Sequence, residues 1–262
     1  MNRYLKENIT RFFGKFDVGL TTYSNLMRLQ QCSKKAVILD FILAMPEQHL
    51  ADLVHNLDYS NAQILQDLFV LSELDFKTGG YFVEFGATNG VDINNTSLLE
   101  KNFDWTGIVA EPCKKWHNDL QVNRGCNIEL DCVWSKTGDT LQFVEAEDAE
   151  LSTVHQLSGK DIHGAERLVG GTSYPVKTIS LNDLLRKYNA PAKMDYLSID
   201  TEGSELEILS SLNFDEFEFS VITCEHNYTS DREKIFSLLT KNGYQRKFEA
   251  LSHFDDWYTK EA

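Results

Sequence analysis

The sequence has few prolines and no long apolar run. Only 4 of its 262 residues are proline and 42% are hydrophobic, a composition that argues against disorder. No apolar stretch approaches the roughly 18 residues that a membrane-spanning helix needs, and no signal-peptide core precedes a cleavage site. We therefore expect a folded chain without a transmembrane segment. Its length suits one large α/β domain with an extension.

Paired cysteines are also missing. The 5 cysteines are odd in number and lack the paired spacing of a metal site; they lie at positions 32, 113, 126, 132 and 224. This pattern favours a reduced compartment, so we expect a cytoplasmic protein. Several of these thiols fall in predicted strands and are expected to belong to the core.

No basic stripe accompanies the acidic residues. The chain has 40 acidic and 25 basic residues, which gives a formal net charge of −15. Proteins bind a nucleic-acid phosphate backbone through clustered basic residues, so we expect no nucleic-acid partner. A small-molecule or glycan acceptor without charge fits this composition better.

A glycine loop follows the first predicted strand. An apolar run enters the sequence E-F-G-A-T-N-G at residues 84–90, where glycine permits a sharp turn and close approach of a ligand. The G-x-G-x-x-G of a dinucleotide site and the G-K-[ST] of a phosphate loop are both absent, which disfavours an NAD-dependent reductase. The loop looks like the first motif of S-adenosylmethionine (SAM) methyltransferases, although a tight turn without a ligand is the alternative. The predicted cofactor contacts from this loop are Glu84, Gly86, Ala87, Asn89 and Gly90.

A second acid follows the next predicted strand. Residues 106–112 form an apolar run that ends at Glu111 and Pro112, and Glu111 lies 21 residues after Gly90. That separation is typical of the acid that accepts hydrogen bonds from both ribose hydroxyls of a nucleoside. A solvated acid at a strand end is the alternative. Two acids at successive strand ends favour a nucleoside ligand.

A helix is predicted between these two strands. Residues 94–101 begin with capping residues and continue as a helix. We expect its amino end to face the cofactor, with Asn95 or Thr96 in contact with it. Plain helix capping is the alternative for at least one of them.

A third strand is predicted at residues 127–135. Asp131 or Cys132 is expected at the adenine edge, where a short polar side chain meets the exocyclic amine. Trp134 is expected to fill core, because a tryptophan in an apolar strand usually serves packing.

Two further strands end in polar residues. Residues 196–199 form a buried strand that ends at Asp200, and residues 220–227 form a strand that ends with Glu225 and His226. The carboxyl ends of parallel strands meet at one edge of a sheet. We therefore expect the acids after four strands to share one cleft.

Four segments of the chain resemble the FkbM family of SAM-dependent methyltransferases. They are E-F-G-A-T-N-G (residues 84–90), S-I-D-T-E-G-S-E (198–205), E-H-N (225–227) and Y-S-N-A-Q-I-L-Q-D (59–67). The last segment is similar to the helix entry S-Q-x-G-Q-D of that family, with Leu65 in place of its glycine. Together the similarity covers roughly residues 59–250.

The resemblance implies a fold and an activity. The fold is α/β, a Rossmann-like class I methyltransferase with a mostly parallel sheet flanked by helices and an N-terminal helical extension. Family members mostly methylate hydroxyls, often on sugars of polysaccharides and glycolipids and sometimes on polyketides. A SAM-dependent O-methyltransferase of a sugar or glycan is therefore expected. Methylation of a polyketide or amide, and a binding module without activity, are the alternatives.

We expect three parts along the chain. The helical extension occupies residues 1–58 and the methyltransferase domain residues 59–262. Within the domain, the polar residues 145–174 form a long segment between strands and are expected to be a lid over the acceptor. Residues 1–16 are mildly basic and amphipathic, and packing over the domain or a homodimer contact is expected of them. A membrane-surface or partner-binding helix is the alternative.

The expected catalytic residues are Asp200, Glu202 and His226. A sugar hydroxyl is a poor nucleophile until a base or a metal holds it, and histidine titrates near neutrality, so His226 is the expected base. Asp200 orients His226, holds the cofactor ammonium, or binds Mg²⁺ or Mn²⁺ together with Glu225 and His226. Glu205 is expected in the first turn of the following helix, where the dipole favours an acid.

Overall fold

The structure of the chain, a computed structural model, describes residues 23–159, 164–167 and 170–260. Within these ranges no helix is both long enough and apolar enough to cross a bilayer. The amphipathic segment predicted at residues 1–16 lies outside the described residues.

The chain divides into two compact units, Met1–Leu43 and Ala44–Ala262. The described residues of the first unit belong to helix α1 (Tyr23–Ala44), which ends at the first residue of the second unit. The predicted boundary after residue 58 therefore falls inside the second unit.

Strands and helices alternate through the second unit. The strands are β1 (Tyr81–Phe85), β2 (Thr106–Ala110), β3 (Asn127–Glu129), β4 (Cys132–Trp134), β5 (Thr140–Glu145), β6 (Thr153–Val154), β7 (Thr172–Ser180), β8 (Lys193–Ile199), β9 (Glu218–Glu225), β10 (Tyr244–Lys247) and β11 (Asp255–Lys260). The helices after α1 are α2 (Leu50–Asn56), α3 (Gln66–Glu73), α4 (Ser97–Phe103), α5 (His117–Asn123), α6 (Gly164–Arg167), α7 (Leu181–Lys187), α8 (Glu205–Ser211) and α9 (Arg232–Lys241).

A seven-stranded sheet with the order β10-β11-β9-β8-β1-β2-β3 forms the centre of this unit. β9, β8, β1, β2 and β3 are parallel, whereas β11 runs antiparallel to both β9 and β10. The central strands are buried on both faces, which explains why they appear in the sequence as continuous apolar runs. Strand order and direction confirm the predicted mostly parallel α/β fold.

The pairing register brings the strand ends to one edge. Phe85 at the end of β1 pairs with Ala110 on one side and with Ile199 on the other. Ile199 in turn pairs with Cys224 of β9. The residues that follow these positions therefore leave the sheet side by side.

The third predicted strand is in fact two strands. β3 pairs with β2 in the central sheet, while β4 pairs with β7 in a second sheet. Between them the backbone N–H groups of Leu130 and Asp131 both donate to Oε1 of Glu129, at 3.0 and 3.1 Å. This local turn interrupts the strand, so the predicted single strand over residues 127–135 is wrong.

The second sheet was not predicted. Its order is β4-β7-β5-β6, and β5 pairs antiparallel with both β7 and β6. The segment predicted as a lid, residues 145–174, contributes β6, helix α6 and the first residues of β7 to this part of the fold. Residues 160–163 and 168–169 of that segment lie outside the described residues.

Candidate functional site

A cavity of about 220 Å³ lies at the carboxyl ends of β1, β2, β8 and β9. The predicted site residues that line it are Gly86, Glu111, Cys132, Asp200, Glu202 and Glu225. Three of the four expected acids, Glu111, Asp200 and Glu225, thus share one cleft. The fourth, Glu84, is not among the described residues that line it.

Gly86 fixes the shape of the cavity floor. Its φ is +79°, and a Cβ at this position would lie 1.8 Å from the carbonyl oxygen of Asp200. No other residue type fits that distance, so the turns after β1 and β8 touch only because glycine stands there. The close approach that the structure shows at Gly86 is that of the protein's own backbone. The predicted approach of a ligand at this glycine stays a prediction.

Glu84 holds the glycine loop in place through buried hydrogen bonds. Its carboxylate accepts hydrogen bonds from the Asn94 side chain at 2.9 Å, the Asn95 backbone at 2.8 Å and Thr96 Oγ1 at 2.5 Å. The guanidinium of Arg124 lies 3.5 Å away and is fully buried. These four donors occupy both oxygens, so Glu84 is a buried anchor of the loop and does not face the cavity.

Asn95 and Thr96, which were predicted to contact the cofactor, are instead bonded to other residues of the protein. Both residues are buried and lie outside the cavity lining of the described chain. Asn95 Nδ2 donates to Ser198 Oγ at 2.9 Å, and Thr96 Oγ1 donates to Glu84. The capping alternative falls to Asn94, whose Oδ1 accepts from the backbone of Thr96 and Ser97.

The rest of the glycine loop is held by hydrogen bonds between its own residues. Asn89 Oδ1 accepts from the backbone of Val91 and Asp92, both at 2.9 Å, which closes a tight turn. Gly90 has a φ of +82° and packs on Arg124, where a Cβ would lie 2.6 Å from Cγ. Ala87, Asn89 and Gly90 are absent from the described lining of the cavity.

Glu111 joins the loop to β2. Its Oε2 accepts from the backbone N–H of Thr88 at 2.9 Å and its Oε1 from that of Cys113 at 2.8 Å. Burial raises the pKa of Glu111 to about 7, although the two backbone donors oppose this rise. Each oxygen keeps a lone pair, so the carboxylate lining the cavity is still able to accept two hydroxyl donors.

Cys132, rather than Asp131, reaches the cavity. Cys132 and Val133 of β4 line its wall, while Asp131 lies in the turn before β4 and is absent from the described lining. Burial raises the pKa of Cys132 to about 12, so this thiol stays neutral. The structure thus selects one of the two predicted residues. Trp134 packs against the apolar cluster of the second sheet, which confirms its predicted role in packing.

Three carboxylates that line the cavity lie close together. One oxygen each of Asp200, Glu202 and Glu225 lie within 4.8 Å of one another. Burial, and then the neighbouring Asp200, raises the pKa of Glu225 well above its usual range; burial also raises the pKa of Asp200. We call this group the carboxylate cluster.

Glu202 is held by residues from two other segments. Its Oε2 pairs with the buried guanidinium of Arg167 and accepts from Asn227 Nδ2 at 3.3 Å. Thr153 Oγ1 donates to its backbone carbonyl at 2.9 Å. The second sheet and the segment predicted as a lid therefore fix the turn after β8.

Glu205 starts helix α8. Its Oε1 accepts from the backbone of Thr201 and Gly203, both at 3.0 Å, and so satisfies the turn that precedes the helix. The expected position in the first helical turn is confirmed.

His226 is buried away from the cavity. Its Nδ1 accepts from the backbone N–H of Tyr228 at 3.0 Å, so the proton lies on Nε2, which donates to the carbonyl of Asp255 at 3.2 Å. Burial lowers the pKa of His226, and both nitrogens are engaged. This corrects two predictions, because a ring in this position is neither a base for an acceptor nor a metal ligand beside Asp200 and Glu225.

Several lining residues were not predicted. They include Gln63, Ile93, Asn227 and Phe254. The lining residues 149–152 belong to the segment that was predicted as a lid. Ile93 has a φ of +43°, a strained value for a β-branched residue. Gln63 was within reach of sequence reasoning, since it belongs to the segment similar to the family's helix entry. Phe254 lies in a turn before β11 and carries no signal of its own.

Leu65 adopts a backbone conformation that favours glycine. Its φ is +68° and its ψ is +30°, the left-handed region. The next residue, Gln66, is buried and bonds to the backbone of Ile64 and to Asp255. Its role in the structure is to link helix α3 to β11.

The family profile of the methyltransferase FkbM domain matches residues 84–246, more than half of the chain. The chain belongs to the FkbM methyltransferase family. It is therefore a SAM-dependent methyltransferase with the Rossmann-like class I fold, in agreement with the strand order of its central sheet. No curated protein matches the chain in sequence.

Three solved structures to which the chain is similar are methyltransferases by name. Methyltransferase FkbM from Methylobacillus flagellatus is 12% identical over 87% of this chain and 59% of that chain, with a TM-score of 0.45. Precorrin-6y C5,15-methyltransferase from Geobacter metallireducens is 11% identical over 69% and 71%, with a TM-score of 0.39. A TehB-like enzyme from Corynebacterium glutamicum is 10% identical over 82% and 97%, with a TM-score of 0.36. At these identities the likeness concerns the fold alone.

Proposed function

We propose that this FkbM methyltransferase transfers the methyl group of SAM to a hydroxyl of an uncharged sugar or glycan. The observation that carries the proposal is the cavity at the strand ends, which is lined together by Gly86, Glu111 and Asp200. A sulfonium methyl is already electrophilic, so the enzyme needs chiefly to align an acceptor oxygen with it.

The cofactor is assigned to the cavity by its chemistry. Glu111 accepts the ribose hydroxyls, and Cys132 with Val133 forms the wall beside the adenine. We assign the methionine part of SAM to the glycine loop and Asp200, where one carboxylate oxygen of Asp200 would accept from its ammonium group. This leaves Glu225 and Glu202 at the acceptor end.

The charge of the lining supports an acceptor without negative charge. Five lining residues are acidic, Glu111, Glu150, Asp200, Glu202 and Glu225, and none of the described lining residues is Lys or Arg. A phosphate or carboxylate on the acceptor would be repelled there. A neutral hydroxyl instead finds carboxylate oxygens as hydrogen-bond acceptors.

SAM binding and methyl transfer test the proposal. We expect calorimetry to show one SAM per chain, and labelled SAM to methylate members of a panel of neutral glycans but not their phosphorylated counterparts. Asp200→Asn should lower both binding and turnover. Asp215→Asn, an exposed aspartate outside the cavity lining, makes the same chemical change and should alter neither.

Four results would contradict the proposal. Absence of SAM binding would remove the activity itself. Methylation confined to amines or amides would contradict the hydroxyl as acceptor, and a polyketide as the sole substrate would replace the glycan. SAM binding without transfer to any acceptor would favour the binding-module alternative.

A further inference from the structure

We propose that the carboxylate cluster of Asp200, Glu202 and Glu225 binds one hard divalent cation, of the Mg²⁺ and Mn²⁺ class. The role of this ion in catalysis rests on the proposed O-methyl transfer; its binding does not. Glu202 takes the place that the sequence had suggested for His226.

The geometry of the cluster suits such an ion. The three side chains leave the end of β8, the turn that follows it and the end of β9, and one oxygen of each lies within 4.8 Å of the others. Oxygens around one cation at 2.0–2.6 Å are separated by about 3–5 Å. A donor set made only of carboxylates favours Mg²⁺, Mn²⁺ or Ca²⁺ over softer metals.

An oxygen without a donor provides an independent indication of a ligand. Glu225 is 6% exposed and lines the cavity, and within the described part of the chain its Oε2 meets no N–H or O–H donor. Its neighbour Asp200 is a second acid, which hydrogen-bonds to Glu225 only when one of the two carries a proton. A buried carboxylate oxygen without a donor is costly, and such groups are usually paired or coordinate a metal. No described Lys or Arg lines the cavity to supply that partner.

The surroundings of Glu202 match those of a metal ligand. Ligating carboxylates are commonly held by outer hydrogen bonds that fix their orientation. Here Arg167 and Asn227 both bond to Oε2 of Glu202. These two residues lock the side chain toward the cluster.

The ion would give the acceptor a route to activation that the buried His226 does not provide. A hydroxyl oxygen that coordinates the cation loses its proton more readily. In the transfer the hydroxyl proton leaves to water, the oxygen forms the new O–C bond, and the C–S bond breaks with its electron pair returning to sulfur. The products are the methyl ether and the neutral thioether S-adenosylhomocysteine.

Titration of the full-length chain with Mn²⁺, followed by electron paramagnetic resonance without SAM, tests the site. We expect one Mn²⁺ per chain, displaced by Mg²⁺. Glu225→Gln should weaken Mn²⁺ binding by at least about tenfold, since removal of even an outer partner costs that much. Glu150→Gln removes the same charge from the cavity lining outside the cluster and should leave the Mn²⁺ affinity close to that of the wild type.

Absence of Mn²⁺ binding by the wild type overturns the proposal. An equal loss of Mn²⁺ affinity in Glu225→Gln and Glu150→Gln also overturns it. Circular dichroism shows whether Glu225→Gln folds, and Asp200→Asn is the second variant if it does not. SAM binding measured in the presence of EDTA separates this inference from the proposed function. A chain that binds SAM but not Mn²⁺ contradicts only the metal site, whereas one that binds neither contradicts both.

Discussion

At the scale of single residues, Gly86 is the glycine of the described chain where an added Cβ would come nearest to another atom. The gap between its backbone and the carbonyl of Asp200 leaves no space for a methyl group. Because this contact sets the separation of the β1 and β8 turns, a side chain here would move two walls of the cavity at once.

We predict that Gly86→Ala destabilises the fold by about 3 kcal/mol or more, because the substitution adds a clash to an unfavourable φ. Gly138→Ala is the matched control, since Gly138 has a φ of +89° but no atom within 4 Å of a Cβ. Its cost should be about 1 kcal/mol, from the backbone alone. Urea unfolding measures both. Equal losses in the two variants would show that the contact with Asp200 is not tight.

We predict that cofactor binding depends on pH through Glu111. Its pKa in the fold is about 7, above the usual 4.5, because the carboxyl is buried. Between these values the folded chain keeps a proton that the unfolded chain releases. This contribution to stability is therefore full below pH 4.5 and is lost as pH rises toward 7.

The ionised carboxylate is the better acceptor for two ribose hydroxyls, so SAM should bind more tightly as the pH rises through 7. We predict that affinity falls by up to about tenfold for each pH unit below 7. Calorimetry at pH 6, 7 and 8 measures this. Glu111→Gln should bind weakly at every pH; if it keeps the wild-type slope, Glu111 is not the titrating group.

At the scale of elements, the conformation of the glycine loop depends on the guanidinium of Arg124, which comes from the connection after helix α5. Arg124, just after α5, is fully buried and donates to Asn94 Oδ1 at 2.9 Å and to Thr96 Oγ1 at 2.8 Å. It also pairs with Glu84 and Glu100. The start of α4 and the end of β1 are thereby joined through one guanidinium.

We predict that Arg124→Met destabilises the fold by about 3–5 kcal/mol, because it leaves the Glu84 carboxylate buried without its cation. Arg186→Met is the control, since Arg186 pairs with Glu216 and Asp183 while half exposed. An exposed pair contributes little, so that variant should unfold close to the wild type. Thermal and urea unfolding measure the difference, and similar values for both variants would contradict the anchoring role of Arg124.

The sequence predicted some strands of the fold and missed others. β1, β2, β8 and β9 were predicted because a strand buried on both faces is an uninterrupted apolar run. β5 and β7 were missed because their burial is mixed, with exposed residues along each strand. Their stability comes from pairing with each other across a long connection, which no local pattern records.

At the scale of the whole molecule, acidic residues outnumber basic ones, and five acids but no described Lys or Arg line the cavity. The chain carries a net charge of −15, and the acids of the cavity lie within that field. A cleft of one sign attracts ligands of the opposite sign, and salt screens this attraction.

We predict that added NaCl weakens the binding of SAM severalfold more than that of S-adenosylhomocysteine, which lacks the sulfonium charge. Calorimetry with both ligands at low and high ionic strength measures this difference. Parallel salt dependences for the two ligands would show that the field does not act on the sulfur.

The sequence by itself determined where strands end and that acids follow them, since both depend on the order of apolar and polar residues along a short segment. Glu111, Asp200 and Glu225 were found in this way. The tertiary structure decided which carboxylates still face the cavity, because their partners come from distant segments. Arg124 reaches Glu84 from 40 residues away, and the carbonyl of Asp255 reaches His226 from 29 residues away. The sequence around a residue does not show whether such a distant partner will form a hydrogen bond with it.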